Sequence, residues 1–257
     1  MSRIAEVFSS GKAFIPFVTA GDPNLLITEQ LILAMEQAGA DLIELGIPFS
    51  DPVAEGIVIQ KADARALASN TTTDKIFEMV AKVRKKTNIP LAFMTYMNPI
   101  FAYGSELFIS KAAECGIDAV IVPDLPFEEK GELDSFCRSY QVDLISLIAP
   151  TSRERISTIA GDADGFIYCV SSLGVTGVRS EITTDIGEMI SYVKEVKDIP
   201  CAIGFGISTP EQAKNMSQYG DGVIVGSAIV KIVEQYGQDS VKPVYEYVKQ
   251  MKAALEK

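Results

Sequence analysis

The sequence predicts an α/β fold, a (β/α)8 TIM barrel that takes in residues 1–257 as one domain, with an extra N-terminal helix and a long loop after strand 6. Three observations carry this expectation. Eight short apolar runs recur along the chain, each followed by a loop and a helical pattern, which calls for an all-parallel sheet with helices outside it. A length of 257 residues houses eight such units in an ordinary barrel. The glycine-rich phosphate fingerprint of a doubly wound dinucleotide fold is missing after the first run, which counts against the open-sheet alternative.

Taken in order, residues 2–10 read as a short helix and 13–21 as the first strand, closed by Gly21-Asp22-Pro23. Leu31, Ala34, Met35 and Ala38 then recur at helical spacing, and Gly39 ends that helix. The second strand, around Leu42 to Ile47, places Leu42, Glu44 and Gly46 on one face and Ile43, Leu45 and Ile47 on the other. Two helical segments follow, 60–69 and 71–87, the second with Thr and Asp residues as cap candidates. Strand three is read at 91–97, closed by Asn98-Pro99, and its helix runs from Ser105 to a stop at Gly116. Strand four, 119–124, ends at Asp124, and Pro126 opens a helix to about Tyr140. The fifth unit pairs a strand at 143–150 with a helix at 151–160, and the sixth strand is 165–171. The Gly/Ser/Thr-rich stretch that follows, Ser172 to Thr183, has no periodicity and reads as a mobile loop. A helix at 185–196, a strand at 201–207, a capped helix at 208–220 and a strand at 222–229 complete the eight units. Val244, Val248, Met251 and Leu255 mark a docked C-terminal helix.

Composition narrows the function. A net charge of -11 opposes nucleic acid or an anionic membrane as a bulk partner, while leaving room for a small anion held by local donors. No signal peptide or bilayer-length apolar run is present, so a cytoplasmic location is expected. Cys115, Cys137, Cys169 and Cys201 are widely spaced and read as buried thiols rather than as metal ligands or disulfides. There is no histidine, which removes Ser-His-Asp, Cys-His and His-metal chemistry and leaves carboxylates as the first choice for acid/base work.

Barrel enzymes build their sites at the C-terminal ends of the strands. Glu44 lies near that end of strand two, and none of the eight runs contains Lys or Arg, so burial should raise its pKa into a range useful for proton transfer. The competing reading is a structural carboxylate bonded to backbone or hydroxyl groups. Glu55, eleven residues on, could share acid and base roles with it, or be a solvated loop acid. Asp51 reads as a turn former beside Pro52. Gly204, Phe205 and Gly206 after strand seven, with Gly226 and Ser227 after strand eight, suit a phosphate cradle completed by a helix N-terminus; plain tight turns are the alternative. Gly177, Thr176 and Arg179 lie in the long loop, which reads either as a lid or as a surface loop. Phe17 and Tyr96 end strands one and three and could flank a planar ligand or simply fill the core.

Eight stretches, FIPFVTAGDP, ELGIPFSDP, YMNPI, VIVPDLPFEE, LIAPTS, GFIYCVSSLGVTG, GFGIS and DGVIVGSAIVK, together resemble the tryptophan synthase alpha chain family nearly end to end. The resemblance implies a barrel that cleaves indole-3-glycerol phosphate to indole and glyceraldehyde 3-phosphate. It also implies a tryptophan synthase beta chain as partner in an α2β2 heterotetramer, with pyridoxal phosphate only in that partner and no cofactor or metal in this chain. By position, Glu44 matches the proton-shuttling glutamate and Glu55 the acid that meets the indole N-H. Gly177, Gly204, Gly206, Gly226 and Ser227 match the phosphate cradle, Thr176 the lid threonine, and Phe17, Tyr96 and Phe205 the surroundings of the indole. Pro48, Asp51, Pro52 and Asn98 lie in stretches that match the face toward the beta chain.

The chain departs from the family pattern at one loop, which reads Ala54-Glu55-Gly56-Ile57 where the family has Ala-Asp-Gly-Pro. The acid is one methylene longer and a proline is gone, so lower turnover or greater dependence on the partner is expected, with Glu55→Asp raising turnover. Two other functions compete with the heteromeric lyase: an alpha-like subunit that only activates its partner, and a stand-alone indole-glycerol-phosphate lyase.

Overall fold

The computed structural model describes residues 3–170, 186–204 and 206–256. Among these, eight parallel strands close into a barrel in sequence order. They are β1 (Ala13–Thr19), β2 (Ile43–Gly46), β3 (Leu91–Met94), β4 (Ala119–Ile121), β5 (Asp143–Ile148), β6 (Ile167–Val170), β7 (Cys201–Gly204) and β8 (Gly222–Val225). Closure is made where β8 pairs with β1, Ala13 opposite Gly222 and Pro16 opposite Val225. Parallel strands covered on both faces must be apolar on both. In β2, Ile43 and Leu45 join the layer beneath the outer helices, whereas Leu42, just before the strand, joins the barrel interior with Ile15, Ala92 and Tyr168.

The first half of the outer ring comprises α2 (Leu25–Gln37), α3 (Ile57–Ala68), α4 (Thr73–Val83), α5 (Met97–Tyr103), α6 (Ser105–Cys115) and α7 (Gly131–Tyr140), preceded by α1 (Arg3–Val7). The second half comprises α8 (Arg153–Gly161), α9 (Ile186–Val196), α10 (Pro210–Ser217), α11 (Ser227–Tyr236) and α12 (Val241–Leu255). Several starts are written in the sequence. The Asn24 side chain accepts the Ile27 N–H, Thr72 that of Lys75 and Ser152 that of Arg155, while Thr209 and Gln212 form a capping box around Pro210.

Helix α1 lies across the bottom of the barrel. Ile4 and Val7 pack into the interior cluster, and the Phe8 ring lies 5.5 Å from that of Phe166. Arg3 Nε fastens the helix to Asp118 Oδ1 at 2.6 Å, and Arg84 holds the second oxygen of Asp118 at 2.7 Å.

Several element bounds differ from those predicted. The run read as strand 222–229 ends at Val225, because Ile229, Val230 and Val233 recur at helical spacing and bury one face of α11. Strand three ends at Met94, and Met97–Tyr103 forms an additional helix that admits Pro99 in its first turn, where backbone N–H groups lack intrahelical acceptors. Helix α3 begins at Ile57 rather than at Gln60, and the segment after Pro126 is a single 3-10 turn, Phe127–Glu129, before α7. The four cysteines are free and buried. Among the described residues no helix is long and apolar enough to cross a membrane, and no group of side chains could hold a metal ion.

Candidate active site

Glu44 is fully buried, with both carboxyl oxygens unpartnered among the described residues. The cause is local: its neighbours in register are Phe17 on β1 and Ala92 on β3, neither of which carries a donor side chain. Burial without a counter-charge disfavours the ionised form and lifts the Glu44 pKa to about 8. A carboxyl held neutral near pH 7 is poised both to give and to take a proton.

Glu44 lines a cavity at the C-terminal end of the barrel that holds about 740 Å³ of atom-free space, counting its open mouth. Phe17, Ile59, Met94, Leu147 and Ile224 make its apolar walls. Glu55, Tyr168 and Ser227 are polar members, and Gly206 and Gly226 complete the rim. At that rim α11 starts at Ser227 with no side chain capping it; the Ile229 N–H bonds Gly226 O, and the Ser227 and Ala228 N–H groups are left for an anion. Flat apolar walls, a buried acid and a helix N-terminus suit a planar apolar ligand that carries a phosphate.

Tyr168 on β6 shares this cavity with Glu44, and burial together with the nearby carboxyl raises its phenol well above the ordinary range. Sequence reasoning missed it, although alternation along Phe166, Tyr168 and Val170 would have turned it inward. Gly204 does not line the cavity; a Cβ there would lie 2.5 Å from Tyr168 Cε1, so this glycine makes room for the phenol. Gly46 does the same for Phe17, whose Cζ would stand 2.5 Å from a Cβ at that position.

Glu55 is buried rather than solvated, and burial raises its pKa. Buried Asp63 on α3 and Tyr96 lie beside its side chain. Tyr96 sits behind the cavity wall, where its hydroxyl accepts the Ala54 N–H at 3.1 Å and its ring lies 5.6 Å from that of Phe49. It thus holds the loop rather than flanking the cavity. Asp63 was also missed, since an acid in a helical run reads as surface.

Of the positions expected to face a partner, Asp51 and Asn98 are exposed and Pro52 is half-buried, whereas Pro48 is buried and shapes the loop from within. The same rim exposes apolar side chains: Val53 at 71%, Ile57 at 64% and Phe101 at 76%. Thr176, Gly177, Arg179 and Phe205 lie outside the described residues, as does the long loop.

A closed parallel barrel with an unpaired acid and a bare helix N-terminus in its C-terminal mouth is the architecture of a barrel enzyme. Comparison with known proteins makes this specific. The model of the family "Tryptophan synthase alpha chain" matches residues 5–256, and the chain belongs to that family. It is 44% identical over 256 residues to the tryptophan synthase alpha chain of Lacticaseibacillus casei, covering 100% of this chain and 96% of that one. The Geobacillus stearothermophilus alpha chain is 51% identical over 231 residues, with 90% and 86% covered. Among solved structures, the Legionella pneumophila alpha chain superposes with a TM-score of 0.89 at 36% identity, with 100% and 98% covered. A Mycobacterium tuberculosis tryptophan synthase gives 0.89 at 31% identity, with 99% and 98% covered. Membership carries the alpha-subunit role in tryptophan biosynthesis, a lyase reaction.

Proposed function

We propose that the chain cleaves indole-3-glycerol phosphate to indole and glyceraldehyde 3-phosphate, with Glu44 as the proton-transfer group. The observation that carries this is a fully buried carboxyl with a pKa near 8 and no ion-pair partner among the described residues, facing an apolar cavity. Neutral Glu44 protonates the indole carbon that bears the glycerol chain, which makes the ring an electron sink. The carboxylate so formed takes the proton of the adjacent glycerol hydroxyl as its oxygen becomes a carbonyl, and the carbon-carbon bond breaks toward the ring. One residue gives one proton and receives one, so it ends as it began. Glu55, in the cavity wall, stabilises the positive charge that develops at the indole N–H. Gly206, Gly226, Ser227 and the start of α11 hold the phosphate, aided by Gly177 in the reading from the family, which puts Phe205 beside the indole and Thr176 in the lid against Glu55.

The indole then passes to a beta chain in an α2β2 assembly, and pyridoxal phosphate is assigned to that partner with none asked of this chain. The exposed Val53, Ile57 and Phe101 around Asp51, Pro52 and Asn98 support docking at the cavity mouth. The test is indole release from indole-3-glycerol phosphate by the chain alone and with a tryptophan synthase beta chain added. Release that rises sharply with the partner is expected. Equal release in both conditions would leave a stand-alone lyase, and no release with an accelerated partner reaction would leave a purely activating subunit.

A further inference from the structure

Helices α3 and α11 both start at the cavity, and one side chain ties their far ends together. Helix α3 begins at Ile57, directly after the wall residue Glu55 and the N-cap Gly56, and α11 begins at Ser227 on the rim. Arg65 lies in the last turn of α3 and Glu234 near the end of α11. Arg65 Nη1 donates to Glu234 Oε1 at 3.1 Å, while Nε and Nη2 donate to Asp22 Oδ1 and Oδ2 at 2.8 Å each. One guanidinium on α3 thus grips both α11 and the loop after β1.

The Asp22 arm is the anchor. Its carboxylate is buried and accepts two N–H groups in the planar fork that only arginine offers. The loop that carries it is fixed in turn, with Gly21 N–H donating to Thr28 Oγ1 at 2.9 Å and Asp22 N–H to Thr19 O at 3.2 Å. The Glu234 arm is half-exposed and weaker. A carboxylate near a helix C-terminus opposes the helix dipole, so α11 by itself disfavours Glu234, and Arg65 is the cation it meets. Between these ties and the helix starts, Ile59 and Ala62 of α3, Val230 of α11 and Phe17 of β1 pack into one buried cluster, of which Phe17 and Ile59 are also cavity wall. A tie at the far ends and a packed wedge between them resist sliding or splaying of the two helices. The spacing of their starts is thereby set.

We propose that Arg65 is a positioning residue: by holding α3 and α11 to one buried carboxylate, it sets the distance between Glu55 at the indole end of the site and the phosphate-binding start of α11. The inference rests on the lyase reading, in which one substrate reaches both ends. A ligand that spans the two ends gains from both only when their spacing fits it, whereas a ligand that fills one end is indifferent to the spacing. That difference separates positioning from a plain contribution to stability.

The experiment is calorimetric titration of the full chain with an indole-3-alkyl phosphate, which spans the site, and with inorganic phosphate and indole, which each fill one end. It is run below the melting temperature of every variant, as set by circular dichroism. Arg65→Lys keeps the charge but loses the fork, and the Kd of the spanning ligand should rise about tenfold. Glu234→Ala leaves the Asp22 anchor intact and should raise it about two- to fivefold, the scale of an exposed ion pair. Glu234→Gln, which keeps an acceptor oxygen for Nη1, should stay within about twofold of the wild type. In every variant the Kd values of phosphate and of indole should stay within about twofold. If Arg65→Lys does not fold, Glu234→Ala decides. A wild-type Kd for the spanning ligand in the variants, or an equal rise for the one-ended ligands, would overturn the proposal. A wild type that binds the spanning ligand yet releases no indole from indole-3-glycerol phosphate sinks the lyase reading alone, while one that binds none of these ligands sinks both.

Discussion

Tyr168 occupies the space that any side chain at Gly204 would need: a Cβ at position 204 would lie 2.5 Å from Cε1 and 2.6 Å from Oη of that ring. Gly204→Ala must therefore displace the phenol, which lines the same cavity as Glu44. Overpacking of this kind destabilises by about 1–3 kcal/mol, and the displaced ring narrows the binding space. Thermal unfolding should show the loss of stability, and steady-state kinetics a rise in KM larger than the fall in kcat.

Glu44→Gln should abolish cleavage while leaving binding of a phosphorylated indole analogue intact, as measured by calorimetry. Its stability should depend on pH in a defined direction. The folded pKa near 8 stands above the unfolded 4.5, so the folded wild type keeps its proton longer than the unfolded chain. The resulting contribution is fully present below pH 4.5, declines as pH rises, and is gone above about 8. Glutamine does not titrate. Between pH 5 and pH 8 the unfolding free energy of the variant should therefore gain on the wild type by roughly 3–4 kcal/mol, read from urea titrations at the two pH values.

Replacing Glu55 by Asp is predicted to lower turnover, contrary to the gain expected from the family's shorter acid. Asp63 and Tyr96 lie beside the Glu55 carboxyl, and removing a methylene draws it away from both. A shift on the order of 1 Å at such a group corresponds to up to about a hundredfold in rate. Turnover assays of Glu55→Asp with and without Asp63→Asn would show whether the two positions act together, because independent sites give additive effects.

Phe101 on α5 and Val53 in the loop after β2 protrude at the rim, 76% and 71% exposed. Phe101→Ser with Val53→Ser should weaken beta-chain binding by about 2 kcal/mol or more, in keeping with exposed aromatic anchors at interfaces. Titrating beta chain against the variant should show a higher half-saturation for stimulation, with release by the isolated chain unchanged within about twofold.

The barrel was legible because buried parallel strands and amphipathic helices leave two different periods in one chain, as in Ile43 and Leu45 beside Glu44, and in Ile229, Val230 and Val233 along α11. Element ends were less so. An apolar run that leaves β8 and enters α11 within two residues offers no change of composition at the joint, and Pro99 reads as a stop although it occupies the first turn of a helix. At the site, the burial of Glu44 could be anticipated from the lack of basic residues in the strands. The partners of Glu55 could not, because Asp63 reaches it only through the placement of α3 over the barrel mouth. Gly204 misled for a related reason: a glycine that admits a ligand and one that admits a neighbouring ring look the same in a sequence.

The helix stretched beneath the barrel has a bearing on traffic. With Ile4, Val7 and Phe8 corking the lower end, the described residues leave the cavity open toward the opposite lip, so whatever stands there bears on both loading and unloading. A second protein seated there would stand in the path of a departing product that otherwise escapes into water.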